Sequence, residues 1–107
     1  MAKTPEAKVK EKINEYLEKL KSTGHPIHFE RRNASGLGYK EGLPDLWCAY
    51  NGFHIEIEVK QVDGEARTRQ EKWERTFKRI KCIYIRTDDP QEVIDIFEKY
   101  LIPTWKR

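Results

Sequence analysis

Long apolar runs are missing from this chain. No stretch approaches the ~20 consecutive apolar residues that cross a bilayer, and Met1-Ala2-Lys3-Thr4-Pro5 lacks the apolar core of a secretory signal. The expectation is a soluble, cytoplasmic protein with no membrane partner. Cysteine is scarce too: Cys48 and Cys82 are the only two, outside any C-x-x-C pattern and inside apolar, strand-like segments. They read as buried, reduced thiols of an intracellular protein. An excess of one charge sign is also lacking. With 21 basic and 18 acidic residues the net charge is only +3, so no global basic balance advertises nucleic acid, and what matters is whether basic residues cluster at a site. Repeats, low-complexity linkers, zinc fingers and helix-turn-helix signals are absent, which leaves no motif that reads bases.

What is present suits one globular domain over residues 1–107. The length is enough for a single core and too little for two. Thr4-Pro5-Glu6 opens a helix: Thr4 as cap, Pro5 at the first position, Glu6 at the positive end of the dipole. Val9, Ile13, Tyr16, Leu17 and Leu20 then recur at helical spacing until about Ser22, and Gly24 ends the helix. Ile27 to Arg32 reads as a strand. Asn33 to Gly42 is rich in glycine and small polar residues and reads as a mobile loop, closed by Pro44. Leu46 to Tyr50 and Phe53 to Lys60 are strands joined by Asn51-Gly52, a two-residue hairpin signal. A helix from Ala66 to about Arg79 carries Trp73 and Phe77 on its apolar face. Cys82 to Arg86 is a fourth strand. Asp88 or Asp89 caps a last helix that starts at Pro90 and buries Val93, Ile94, Ile96, Phe97, Tyr100 and Leu101. Trp105 is apolar enough to dock on the body. The order αβββαβα predicts an α/β fold with one mixed central sheet flanked by helices.

The third strand carries the chemistry. In His54-Ile55-Glu56-Ile57-Glu58-Val59-Lys60 the side chains alternate. Ile55, Ile57 and Val59 face a core, and His54, Glu56, Glu58 and Lys60 form a row on the other face, which alone would describe an ordinary strand with one wet side. Counting out from the Asn51-Gly52 turn sets Tyr50 opposite Phe53 and Asp45 opposite Glu58. Opposed residues share a face at ~5 Å. Two carboxylates so close repel unless a cation lies between them, and oxygen ligands suit a hard divalent ion, Mg²⁺ above all. Lys60, two residues on, points to the same side and can steady a water or the charge growing on a phosphate. The single imidazole of His54 offers a softer transition metal no second histidine, and Glu56 is not assigned to the metal.

Gly42-Leu43-Pro44-Asp45-Leu46, a hairpin, then Glu58-Val59-Lys60 resembles the PD-(D/E)XK nuclease superfamily. Gln70 followed by Trp73 on the next helix narrows the resemblance to the virus-type replication-repair nuclease (VRR-NUC) domain, in the stand-alone form typical of phage and prophage proteins, and Glu6 matches that family's acidic residue early in the first helix. The similarity runs from Glu6 to about Ile85. It implies a restriction-endonuclease-like αβββαβα core and a Mg²⁺-dependent endodeoxyribonuclease, with Mn²⁺ as substitute, in a bacterial or phage-infected cell. It further implies that Asp45, Glu58 and the Val59 carbonyl hold the metal, that Glu6 reaches it through water, that Lys60 is the catalytic lysine, and that Gln70 orients groups at the site.

Arg31, Arg32 and Lys40 flank or lie in the Gly-rich loop, and Arg67 and Arg69 lie on the second helix. These are the candidate phosphate contacts, with Lys8, Lys10, Lys12 and Lys72 around them. The expected substrate is DNA recognised by its structure, with a four-way (Holliday) junction as the sharpest version. Paired cuts need two active sites, hence a C2 homodimer, for which Trp47, Tyr39 and Trp105 are spare apolar groups. The alternatives are a flap or nicking repair nuclease, an RNA-directed nuclease, and a catalytically idle DNA-binding module.

Overall fold

The computed structural model describes residues 4–32, 42–59 and 64–106, with side chains for all of these except 64–69. The first helix, α1, spans Pro5–Ser22. Thr4 is extended and its Oγ1 accepts from the Ala7 N–H at 3.1 Å, so an otherwise orphaned donor is satisfied. Ile13, Leu17 and Leu20 form its buried stripe, and Gly24 leaves the helix with φ +90°.

Four strands follow: β1 (Ile27–Arg31), β2 (Leu46–Tyr50), β3 (Phe53–Val59) and, after the helix α2 (Gly64–Arg79), β4 (Ile83–Thr87). They form one sheet in chain order, antiparallel from β1 to β3 and parallel between β3 and β4. The β2–β3 register pairs Tyr50 with Phe53 and Leu46 with Ile57, as counted out from the turn. Asn51 (φ +47°) and Gly52 (φ +89°) both take the left-handed conformation that such a turn requires. A Cβ at Gly52 would meet nothing within 4 Å, so only backbone strain opposes a side chain there. Gly52→Ala is therefore expected to cost about 1–2 kcal/mol, read as a lower melting temperature with an unchanged m-value.

Leu46, Cys48, Tyr50, Ile55, Ile57, Val59 and Ile85 make the core face of the sheet, and Ile13, Leu17 and Leu20 of α1 close over it. With them are Val93 of α3 (Pro90–Ile96) and Phe97 and Leu101 of a π-helical turn (Phe97–Leu101). Each fully buried aliphatic is worth about 1.5–3 kcal/mol relative to exposure. Both thiols are free; Cys48 is buried and Cys82 half-buried. Asp89, rather than Asp88, caps α3 by accepting from the Gln91 N–H at 2.9 Å.

Two expectations are corrected. Tyr100 is not buried but 66 % exposed, because the wider π turn takes Leu101 inward where α-helical spacing would also have brought Tyr100. The second face of β3 is not wet: Glu56 and Glu58 are 0 % and 1 % exposed. Side chains of α2 reach that face, with Gln70 on Glu58 and Phe77 stacked on both His54 and Tyr84. Trp105 docks on His25 with ring centroids 4.6 Å apart, and beside it in sequence Thr104 accepts from the Asn51 side chain, so the C-terminal turn α4 (Ile102–Trp105) is tied to the hairpin. Among the described residues no helix is long and apolar enough to cross a membrane.

Candidate active site

The site lies where β2 begins and β3 ends, beside the N-terminal turns of α1 and α2. Asp45 immediately precedes β2. Its carbonyl accepts from the Arg32 N–H at 2.8 Å, and its Oδ2 accepts from the Val59 N–H at 2.7 Å. The carboxylate thus takes over the ladder beyond Leu46 and ties the start of β2 to the end of β3. Its Oδ1 meets Lys10 Nζ at 3.0 Å. Glu58, one residue before Val59, falls on the same face one step beyond the Leu46–Ile57 pair, which sets it beside Asp45.

Two acidic groups therefore stand side by side on one face, as the strand count predicted, Glu58 buried and Asp45 partly exposed. The cost is visible on Glu58. Burial first, and then Asp45 beside it, pushes its carboxyl up to about 9, with Lys10 offsetting part of the rise. Gln70 Nε2 donates to Glu58 Oε1 at 3.1 Å. Glu58 Oε2 is buried with no donor among the described residues. A buried, donor-poor carboxylate oxygen beside a second carboxylate is the electrostatic shape of a cation site.

Among the described residues no three of His, Cys, Asp and Glu converge as a side-chain metal cluster. The donor set that Asp45 and Glu58 offer is all oxygen. It fits Mg²⁺, which is bound through one or two carboxylates and keeps waters and phosphate oxygens for the rest. Asp45, Glu58 and the Val59 carbonyl are the residues that would hold it.

Glu6 stands one helical turn before Lys10, 3.8 Å from Nζ. It belongs to the same charge cluster and contributes to the raised Glu58 carboxyl. Lys10 was foreseen only as a basic residue beside the DNA. It is instead the cation that the three carboxylates share: burial alone would lower its pKa, and Asp45, Glu6 and Glu58 outweigh that and hold it above the usual lysine value. Its i, i+4 relation to Glu6 was the sequence signal available.

Lys60 and Lys40 lie outside the described residues, as does most of the Gly-rich loop (33–41). Arg67 and Arg69 fall on α2, in the stretch whose side chains are not described. Arg31 ends β1 and is exposed. Arg32 is engaged inside the protein: its guanidinium holds both oxygens of Glu56, Nη2 to Oε2 at 3.0 Å, and donates from Nη1 to the Pro44 carbonyl at 3.1 Å. His54 Nε2 meets the same Glu56 carboxylate. Glu56 is thus neutralised apart from the Asp45–Glu58 pair. Arg86 stands opposite Glu58 in the parallel register but turns to Glu74, at 3.9 Å.

No family model matches the chain, and no curated protein matches it either. A search of solved structures finds one described as a VRR_NUC domain, with a TM-score of 0.69 and 21 % identity, covering 92 % of this chain and 99 % of that one. The chain therefore has the restriction-endonuclease-like α/β fold of a VRR_NUC domain.

Proposed function

We propose that this protein is a Mg²⁺-dependent, structure-selective DNA endonuclease of the VRR-NUC type. The observation that carries the reading is the part-buried Asp45 set in register beside the buried Glu58 at the open end of a hairpin, with one Glu58 carboxylate oxygen lacking a donor among the described residues. A module that only bound DNA would have no use for an acidic pair that repels phosphate and costs free energy to bury. Mg²⁺, or Mn²⁺ in its place, would be held by Asp45, Glu58 and the Val59 carbonyl and would supply Lewis-acid stabilisation of charge on the scissile phosphate.

The chain's own groups have separable tasks. Gln70 fixes the orientation of Glu58 through its 3.1 Å bond. The Val59 N–H fixes that of Asp45. Lys60, the next residue along the chain, provides the ammonium that steadies the attacking water or the developing negative charge. Lys10 balances the acidic cluster from α1, and Glu6 lies close enough to act on the site through water. Arg31, Lys40, Arg67 and Arg69 supply phosphate contacts, which set affinity and its salt dependence rather than sequence preference.

The substrate we favour is a four-way junction cut by a homodimer, since two symmetric incisions need two copies of a one-site chain. The test is cleavage of labelled four-way, flap, nicked and single-stranded DNA in Mg²⁺ and in EDTA, with sedimentation of the free protein. Paired cuts across the junction, abolished by EDTA, from a sedimenting dimer would establish the reading. A monomer that cuts only flaps would make it a repair nuclease. Inertness on every DNA in Mg²⁺ and Mn²⁺ would refute it.

A further inference from the structure

Glu56 is fully buried, charged and unused by the chemistry above. A buried ion pair is a poor way to stabilise a fold: replacing both partners by apolar residues of similar volume is often neutral or stabilising. What the pair does must therefore be sought in what else it touches. The Arg32 guanidinium that grips Glu56 also donates to the Pro44 carbonyl, and the Arg32 backbone N–H donates to the Asp45 carbonyl. One residue thus ties the two positions that end in the candidate ligand Asp45 to the centre of β3, two residues from the candidate ligand Glu58. The grip is rigid on its far side as well. Glu56 sits mid-strand between Trp47 on β2 and Tyr84 on β4, and His54 holds its second oxygen.

We infer that the Arg32–Glu56 pair is a positioning clamp for the metal site, fixing the Pro44-Asp45 backbone against β3 and so setting the spacing of the Asp45 and Glu58 carboxylates. Asp45 is then held from two sides: its side chain by the Val59 N–H and its backbone by Arg32. The guanidinium's geometry is essential, because it must serve a carboxylate and a carbonyl together. A lysine ammonium keeps the charge and loses the planar fork. Arg32 and Glu56 touch neither the candidate metal position nor substrate in this role. They are positioning residues.

The clamp rests on the metal-nuclease reading, and the experiment separates the two. Mn²⁺ binding is titrated by electron paramagnetic resonance, without DNA, for wild type, Arg32→Lys, and the apolar double variant Arg32→Met/Glu56→Leu, with circular-dichroism melts as folding control. Expected are folded variants that bind Mn²⁺ about 10- to 100-fold more weakly, the usual effect of losing a group that orients a ligand. With kinetics on cleaved DNA, kcat should fall while KM changes little. Folded Arg32→Lys with wild-type Mn²⁺ affinity overturns the clamp, whether or not the double variant folds, and leaves the nuclease reading standing. A wild type that binds no Mn²⁺ removes the metal site itself and the clamp with it.

Discussion

Glu58→Gln is expected to abolish Mg²⁺-dependent cleavage and, in the same protein, to raise the stability of the metal-free fold. The two effects have one cause. Without a cation, Glu58 is a carboxyl buried beside Asp45, and at pH 8 its charged form is opposed by burial and by its neighbour. Glutamine has the same shape and no charge. Its carbonyl can keep the 3.1 Å bond from Gln70, and its amide supplies a donor toward Asp45 at the position of the unsatisfied Oε2. The variant should melt higher than wild type in EDTA at pH 8, by several degrees. Cleavage should fall by at least ~10³-fold, since the variant loses an anionic ligand on top of the electrostatic contribution that a single preorganised group commonly makes. Lys60→Ala provides the contrast: cleavage is lost to a similar degree with little change in the pH 8 melt or in Mn²⁺ binding. A Glu58→Gln protein that still cuts would remove Glu58 from the site. One that cuts nothing and also melts lower would make Glu58 a structural residue instead.

A residue that destabilises its own fold until a ligand arrives is expected at a functional site. It also explains which parts of the molecule could be read in the sequence. The Asn51-Gly52 turn fixes the β2–β3 register, and with period-2 alternation it carries Asp45 to Glu58 without further information. The Thr4-Pro5 cap and the Ile13, Leu17, Leu20 stripe place α1 for equally local reasons. What alternation does not reveal is whether a polar face is wet. Glu56 and Glu58 give the same pattern as surface residues, and only the placement of α2 over β3 and β4 buries them. For the same reason Arg32, at the edge of the Gly-rich loop, read as a phosphate contact, while the fold turns it inward to Glu56 across 24 residues of sequence. Lys10 was hidden likewise. Its spacing from Glu6 was visible, but its approach to Asp45 depends on how the first turns of α1 sit at the end of the sheet.

The pH dependence of stability should reverse its consequence when Mg²⁺ is added. Glu58 in the metal-free fold holds its proton up to about 9, against an ordinary value of 4.5. Between those values the folded state binds a proton that the unfolded state has released, so stability falls as pH rises through this window. The metal-free protein should therefore melt higher at pH 5 than at pH 8. This slope opposes the usual carboxylate contribution, in which a depressed pKa makes acid destabilising. Each pH unit over which one proton is retained corresponds to about 1.4 kcal/mol, so the effect on melting should be several degrees even if only part of the window is realised. A divalent cation between Asp45 and Glu58 favours the ionised form and competes with the proton. Saturating Mg²⁺ should thus raise the melting temperature strongly at pH 8, by the mass-action term for a ligand of the native state, and hardly at all at pH 5. In Glu58→Gln both the slope attributable to this residue and the Mg²⁺ increment should vanish together. Differential scanning calorimetry at the two pH values, with and without Mg²⁺, decides it. An equal Mg²⁺ increment at pH 5 and pH 8 would mean that the ion binds elsewhere on the protein, and that the proton on Glu58 and the metal do not compete for the same oxygens.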